Sequence, residues 1–149
     1  MAIIDNQNLF SDSQAVTATA ASTNSIDLGP LFGNQLIALG SGEPLAIVVN
    51  TAVAMTDAGS DSTVTVTLEM DADPLFGSPT VVATLGTFAA ASAAGVGIIA
   101  YVPPAYNFEQ YIQLRYTVAG GNLTTGSFDA RLTKDFDSYK HYKHAYIIS

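Results

Sequence analysis

Apolar and polar residues alternate with a period of two along much of this chain. In residues 63–70, Val64, Val66, Leu68 and Met70 fall on one side and Thr63, Thr65, Thr67 and Glu69 on the other. A strand points successive side chains to opposite faces, so the pattern predicts one face in a core and one in water. Residues 110–118 repeat it, with Ile112, Leu114, Tyr116 and Val118 inward against Tyr111, Gln113, Arg115 and Thr117. Residues 127–133 do so again through Phe128, Ala130 and Leu132. Residues 14–20 alternate more weakly, because their inward set would be Val16, Ala18 and Ala20.

Three other runs, 45–49, 80–88 and 97–102, are more continuously apolar and predict strands covered on both faces or central in a sandwich. A short piece at 25–28 completes a set of about eight strands. Turn residues separate them: Gly29-Pro30, Gly40-Ser41-Gly42, residues 57–62, Asp73-Pro74, residues 77–79, Pro103-Pro104 and Gly120-Gly121-Asn122. The segment 88–95, FAAASAAG, holds helix-forming alanines but spans only about two turns, so it reads as a small-residue loop or a single helical turn. The expected fold is all-β, a β-sandwich of about eight antiparallel strands, either a jelly roll or immunoglobulin-like. The chain has no Trp and no Cys, which removes the immunoglobulin hallmark and favours the jelly roll.

Composition narrows the function. At 149 residues the chain suits one domain, large enough to fold without a disulfide or metal staple. Charged residues make up 12%, against the roughly 25% of ordinary domains, so Ser, Thr, Asn and Gln must supply the polar surface. A net charge of −8 argues against nucleic acid as the main partner, since phosphate binding needs clustered Lys and Arg. The start, MAIIDNQNLF, lacks a basic stretch and a long apolar core, so no signal peptide is expected. No run approaches the ~18 apolar residues of a membrane span.

Charge is distributed unevenly. Residues 1–133 carry eleven acids against Arg115 and Arg131, a net of −9, whereas residues 134–149 are net +1. That tail, KDFDSYKHYKHAYIIS, holds three of the five basic residues, both histidines and three of the seven tyrosines. The chain therefore divides into a sandwich, 1–133, and a C-terminal arm, 134–149. Tyr139, Tyr142 and Tyr146 recur at intervals of three and four, with Lys140, His141 and Lys143 beside them. Tyrosines supply contact area with a polar end, and lysines suit an acidic surface. Fully extended, the arm would reach roughly 50 Å, so it can dock on a partner as well as pack on its own core.

Enzyme signatures are missing. There is no Gly-x-Ser-x-Gly elbow and no phosphate-binding glycine loop, and both histidines lie in the tail, away from a rigid shell. His141 and His144 are three apart without the glutamate of a metalloprotease helix, and they read as solvent-facing or interface residues. Asp57 and Asp61 share one loop, and Glu69, Asp71 and Asp73 cluster near another. Such carboxylates suit turn capping first, then Ca²⁺ binding or acid–base catalysis. No cofactor is expected.

One end of the chain adds a resemblance. Asn8-Leu9-Phe10-Ser11-Asp12, residues 14–19 and residues 22–29 resemble the opening of the capsid cement (decoration) proteins of short-tailed bacteriophages. The resemblance implies a jelly-roll subunit that clamps the outer surface of the virion, made in the host cytoplasm. Its implied partners are the major capsid protein and further copies of itself, as a dimer or trimer. No catalytic residue is carried over. Val16, Ala18 and Ala20 would line a strand and Asp27 would precede a turn. Leu9 and Phe10 would either plug one end of the sandwich or meet a neighbouring subunit. The competing readings are a carbohydrate- or receptor-binding sandwich, with Tyr101, Tyr106 and Tyr111 as a stacking platform, and a jelly-roll glycosidase using the acidic clusters.

Overall fold

The computed structural model describes residues 6–30, 39, 44–103 and 107–134, and these form two antiparallel sheets packed face to face. After a single 3-10 turn, Asn6–Asn8, the strands are β1 (Leu9–Ala15), β2 (Ala20–Ala21), β3 (Ile26–Asp27), β4 (Ala46–Thr56) and β5 (Thr63–Asp71). They continue with β6 (Thr80–Phe88), β7 (Gly97–Tyr101), β8 (Tyr111–Ala119) and β9 (Thr125–Thr133). One sheet has the order β1-β9-β4-β7; the other has β2-β8-β5-β6, with β3 also paired to β8. Since β2 and β3 meet the same neighbour, they act as one interrupted strand. Every other connection except β5–β6 then crosses from one sheet to the other, which is the jelly-roll order.

The alternating segments build the core as their period dictates. Val64, Val66 and Leu68 of β5 and Ile112, Leu114 and Tyr116 of β8 are fully buried, facing Ile47 and Val49 of β4 and Phe128 and Ala130 of β9. The Phe128 ring lies 5.1 Å from Phe88 and stacks on Tyr116 at 5.3 Å, so one side chain of the first sheet bridges two strands of the second.

Two expectations change. Of the continuously apolar runs, only β4 is central; β6 and β7 are the outer strands of their sheets and are largely half-exposed or exposed. An apolar run reports low polarity, not the number of covered faces, and here it marks two edges that lean together. At Gly86 an added Cβ would sit 3.0 Å from Ile98 Cδ1, so the missing side chain lets β6 close on β7. Secondly, residues 14–20 are not one strand. Pairing along β1 ends at Ala15, only Val16 of the expected inward set is buried, and Ala18 is exposed. Here the chain steps between sheets, held by Val16 N–H on Gly126 O and Leu123 N–H on Thr17 O. The alanine-rich segment is the small-residue loop expected of it, and it extends the edge of β4: Thr51 N–H donates to Val96 O and Met55 N–H to Ser92 O.

Candidate partner-binding surface

The N-terminal motif is built into the frame. Phe10 is fully buried in the core, while Leu9 points to the other face of its sheet, opposite Arg131, and is only 8% exposed. Neither side chain is open to a neighbouring subunit; burial corrects that part of the expectation, because β1 spends both apolar residues within its own fold. Ser13 adopts φ 44°, in a bulge of β1, and its N–H donates to Asp129 Oδ1 at 2.6 Å.

Around this bulge the polar residues of the motif interlock. Ser11 Oγ donates to Gln14 Oε1 (2.7 Å) and lies 2.8 Å from the Tyr116 hydroxyl. Its one hydrogen is committed to Gln14, so Tyr116 is the donor to Ser11. Gln14 Oε1 also accepts from Thr23 N–H, and Gln14 Nε2 donates to Ala21 O. Asn24 N–H donates to Phe10 O and Asn24 Nδ2 to Leu9 O. Asp27 Oδ1 accepts Gly29 N–H, as expected of a residue before a turn. These bonds tie β1 in one sheet to β2, to the link between β2 and β3, and to β8 in the other. Burial pushes the Tyr116 phenol up to about 12, helped by the nearby Asp129 charge.

The acidic clusters serve their own loops. Asp57 Oδ2 accepts from Asp61 N–H, Ser62 N–H and Ser62 Oγ. Burial alone would raise the Asp57 carboxyl, but these bonds outweigh it and hold it below its ordinary value. Asp71 accepts Asp73 N–H and Ser78 N–H at 2.9 Å each, which lowers its carboxyl against an opposing burial effect. Both are turn caps. Among the described residues no three His, Cys, Asp or Glu side chains are grouped to hold a metal ion.

Glu69 departs from its expected solvent-facing place. It is 4% exposed, with Arg115 Nε at 2.8 Å from Oε1 and Gln113 Nε2 at 3.1 Å from Oε2. Cross-strand neighbours on β8 cover it, which a pattern read along one strand does not show. Replacing Arg115 by alanine would leave this carboxylate with Gln113 alone. The expected loss is about 1–2 kcal/mol in urea denaturation, less than for a fully buried pair because solvent screens the one-third-exposed arginine. An unchanged midpoint would show that the pair contributes nothing.

The remaining candidates are surface features. Tyr101 ends β7 in one sheet and Tyr111 begins β8 in the other, so they do not share a sheet face; Tyr106 lies outside the described residues. The arm residues Tyr139, Lys140, His141, Tyr142, Lys143 and Tyr146 also lie outside them, as does the Gly40–Gly42 turn. Lys134, where the arm begins, follows the end of β9. Because the short 120–124 link joins the far ends of β8 and β9, this root shares one end of the sandwich with Tyr111, Asp71 and the β5–β6 turn. The sequence pattern missed that turn as a surface. Leu75 there is 86% exposed, and Val81 on β6 is also exposed.

The family model Bbp16 matches residues 10–132. The chain belongs to the Bbp16 family. No curated protein matches it. The Bbp16 match runs from Phe10 on β1 to Leu132 on β9, so it spans the sandwich and stops short of the arm.

Proposed function

We propose that this Bbp16-family chain is a structural virion protein, a capsid cement (decoration) protein that binds the outside of a phage head and stabilises contacts between major capsid subunits. The observation that carries the reading is the N-terminal segment, residues 8–29, whose resemblance to cement proteins falls on the residues that lock this jelly roll together. A module with both sheets tied through Ser11, Gln14, Asn24 and Tyr116 resists shear. Resistance to shear is what a strut between shell subunits requires. Homo-oligomers, dimer or trimer, would present several arms at once, and linked weak contacts hold by effective concentration. The protein takes no part in catalysis in this reading, and it acts on the outer surface of a particle assembled in the host cytoplasm.

Purified protein added to shells lacking it should attach at a fixed stoichiometry and raise their melting temperature. Failure to attach removes the proposal. Deleting residues 134–149 leaves every described strand in place, since β9 ends at Thr133. The expected outcome is a cooperative unfolding transition for the truncated protein together with attachment weakened by on the order of tenfold or more, in line with the loss of one of two linked contacts. Undiminished attachment would remove the arm from the mechanism.

A further inference from the structure

We propose that the β5–β6 hairpin carries the shell-facing anchor, with Leu75 at its tip and Val81 beside it seated in an apolar pocket of the shell subunit whose rim is basic. The inference rests on the cement reading above and adds the surface that makes the contact.

Leu75 and its setting carry the argument. It is 86% exposed, more than any other large apolar residue described, and Val81 is 53% exposed. The turn displaying it is fixed from within. Asp71 accepts Asp73 N–H and Ser78 N–H, Asp73 Oδ1 accepts Leu75 N–H at 3.0 Å, and Phe76 N–H donates to Asp73 O. Phe76 is held at φ 50°, a conformation that a bulky side chain avoids unless its surroundings impose it. An apolar side chain on a rigid turn loses little freedom on docking, which is how an anchor residue gains affinity.

Position and charge select the partner. The hairpin is the one connection that stays within a single sheet, so it is not drawn across the end of the core as the others are. It shares that end with Lys134, so hairpin and arm can engage one surface together. Strand β6, TVVATLGTF, carries no charge over nine residues, as is true of the shorter outer strand β7, whereas β1 holds Asp12 and β3 holds Asp27. Behind the tip stand Asp71, held ionised by its hydrogen bonds, and exposed Asp73. A pocket that receives Leu75 must meet the exposed Asp73 carboxylate at its rim, and a basic rim complements it. A second copy of this body offers the opposite: its net charge is −9 over residues 1–133, and Arg115 is already engaged with Glu69. The body of a second copy is therefore unsuited, and in the cement reading its arm is committed to the shell, so the shell subunit is the occupant.

The test uses full-length protein and shells lacking it, with Leu75→Ser, Val81→Ser and, as a control, Val53→Ser at an exposed apolar position of the other sheet. Unfolding midpoints should be unchanged for all three, since these side chains lie in water. Leu75→Ser should weaken attachment by on the order of tenfold or more, as expected for losing a buried leucine, Val81→Ser by less, and Val53→Ser not at all. Added salt should weaken wild-type attachment. Wild-type attachment by Leu75→Ser overturns the anchor, and attachment indifferent to salt overturns the basic rim. A changed sedimentation coefficient for free Leu75→Ser protein would assign the tip to a second copy and overturn the choice of partner. If wild-type protein itself fails to attach, the cement reading falls and the anchor with it.

Discussion

Replacing Phe128 by alanine should destabilise the folded protein by about 3–5 kcal/mol, the range for truncating a buried aromatic side chain. Phe128 is completely buried, and its ring touches both Phe88 and Tyr116, so the lost volume lies where the two sheets meet. The hole cannot close easily, because β9 is paired on both sides and cannot move toward the opposite sheet without breaking one ladder. For a chain of this length the loss corresponds to a fall in melting temperature of roughly 10 °C or more. Urea denaturation measures it directly, and Phe128→Leu, which keeps most of the volume, should lose clearly less. A loss below about 1.5 kcal/mol for the alanine variant would mean that the sheets are not held together at this point.

Raising the pH from well below 10 to well above 12 should remove about 3 kcal/mol of stability through Tyr116 alone. In the folded protein the phenol keeps its proton up to about 12, whereas an unfolded tyrosine releases it near 10. Between these values the folded state binds more protons than the unfolded state, so stability falls as pH rises. The contribution is complete below pH 10 and gone above 12; at ~1.4 kcal/mol per unit, two units give the stated size. The physical cause is burial first. Ionised Tyr116 would also lose its role as donor to Ser11, leaving a buried phenolate in an apolar core. Tyr116→Phe should be about 1 kcal/mol less stable at neutral pH through the lost hydrogen bond, yet show a shallower alkaline decline. Identical alkaline slopes for the two proteins would place the titrating group elsewhere.

Both predictions concern the same seam, and that seam bears on the proposed role. The bonds from β1 to Tyr116 and the aromatic contacts of Phe128 lie between the sheets, so they resist sliding of one sheet over the other. The proposed fastening elements lie apart from it, at the end that holds the hairpin tip and Lys134. A change at the seam should therefore lower melting before it lowers attachment, and a change at Leu75 should do the reverse.

Period-two alternation identified β5, β8 and β9 with their inward faces, because a half-buried strand writes its geometry into every second residue. Turn chemistry anticipated the caps: Asp57, Asp71 and Asp27 bind backbone within a few residues, and such bonds need only local sequence. Where the information is non-local, reading along the chain misplaced things. The edge position of β6 and β7 depends on which strands come to lie beside them, and burial of Glu69 depends on Arg115, forty-six residues away. Gln14 and Tyr116 take their meaning from Ser11 between them, across 105 residues of sequence. Leu75 is an ordinary turn-flanking leucine until the hairpin is seen to stand clear of the core.

The amino-acid order alone determined that this protein is an all-β sandwich with an acidic body and a basic, tyrosine-rich tail. Period, turn residues and charge are properties of neighbouring positions, and they survive without coordinates. Only the folded arrangement decided that Leu9 and Phe10 are covered by their own fold and that Leu75 belongs to the outside. Exposure is set by what packs over a side chain, and in this topology those neighbours come from distant parts of the chain.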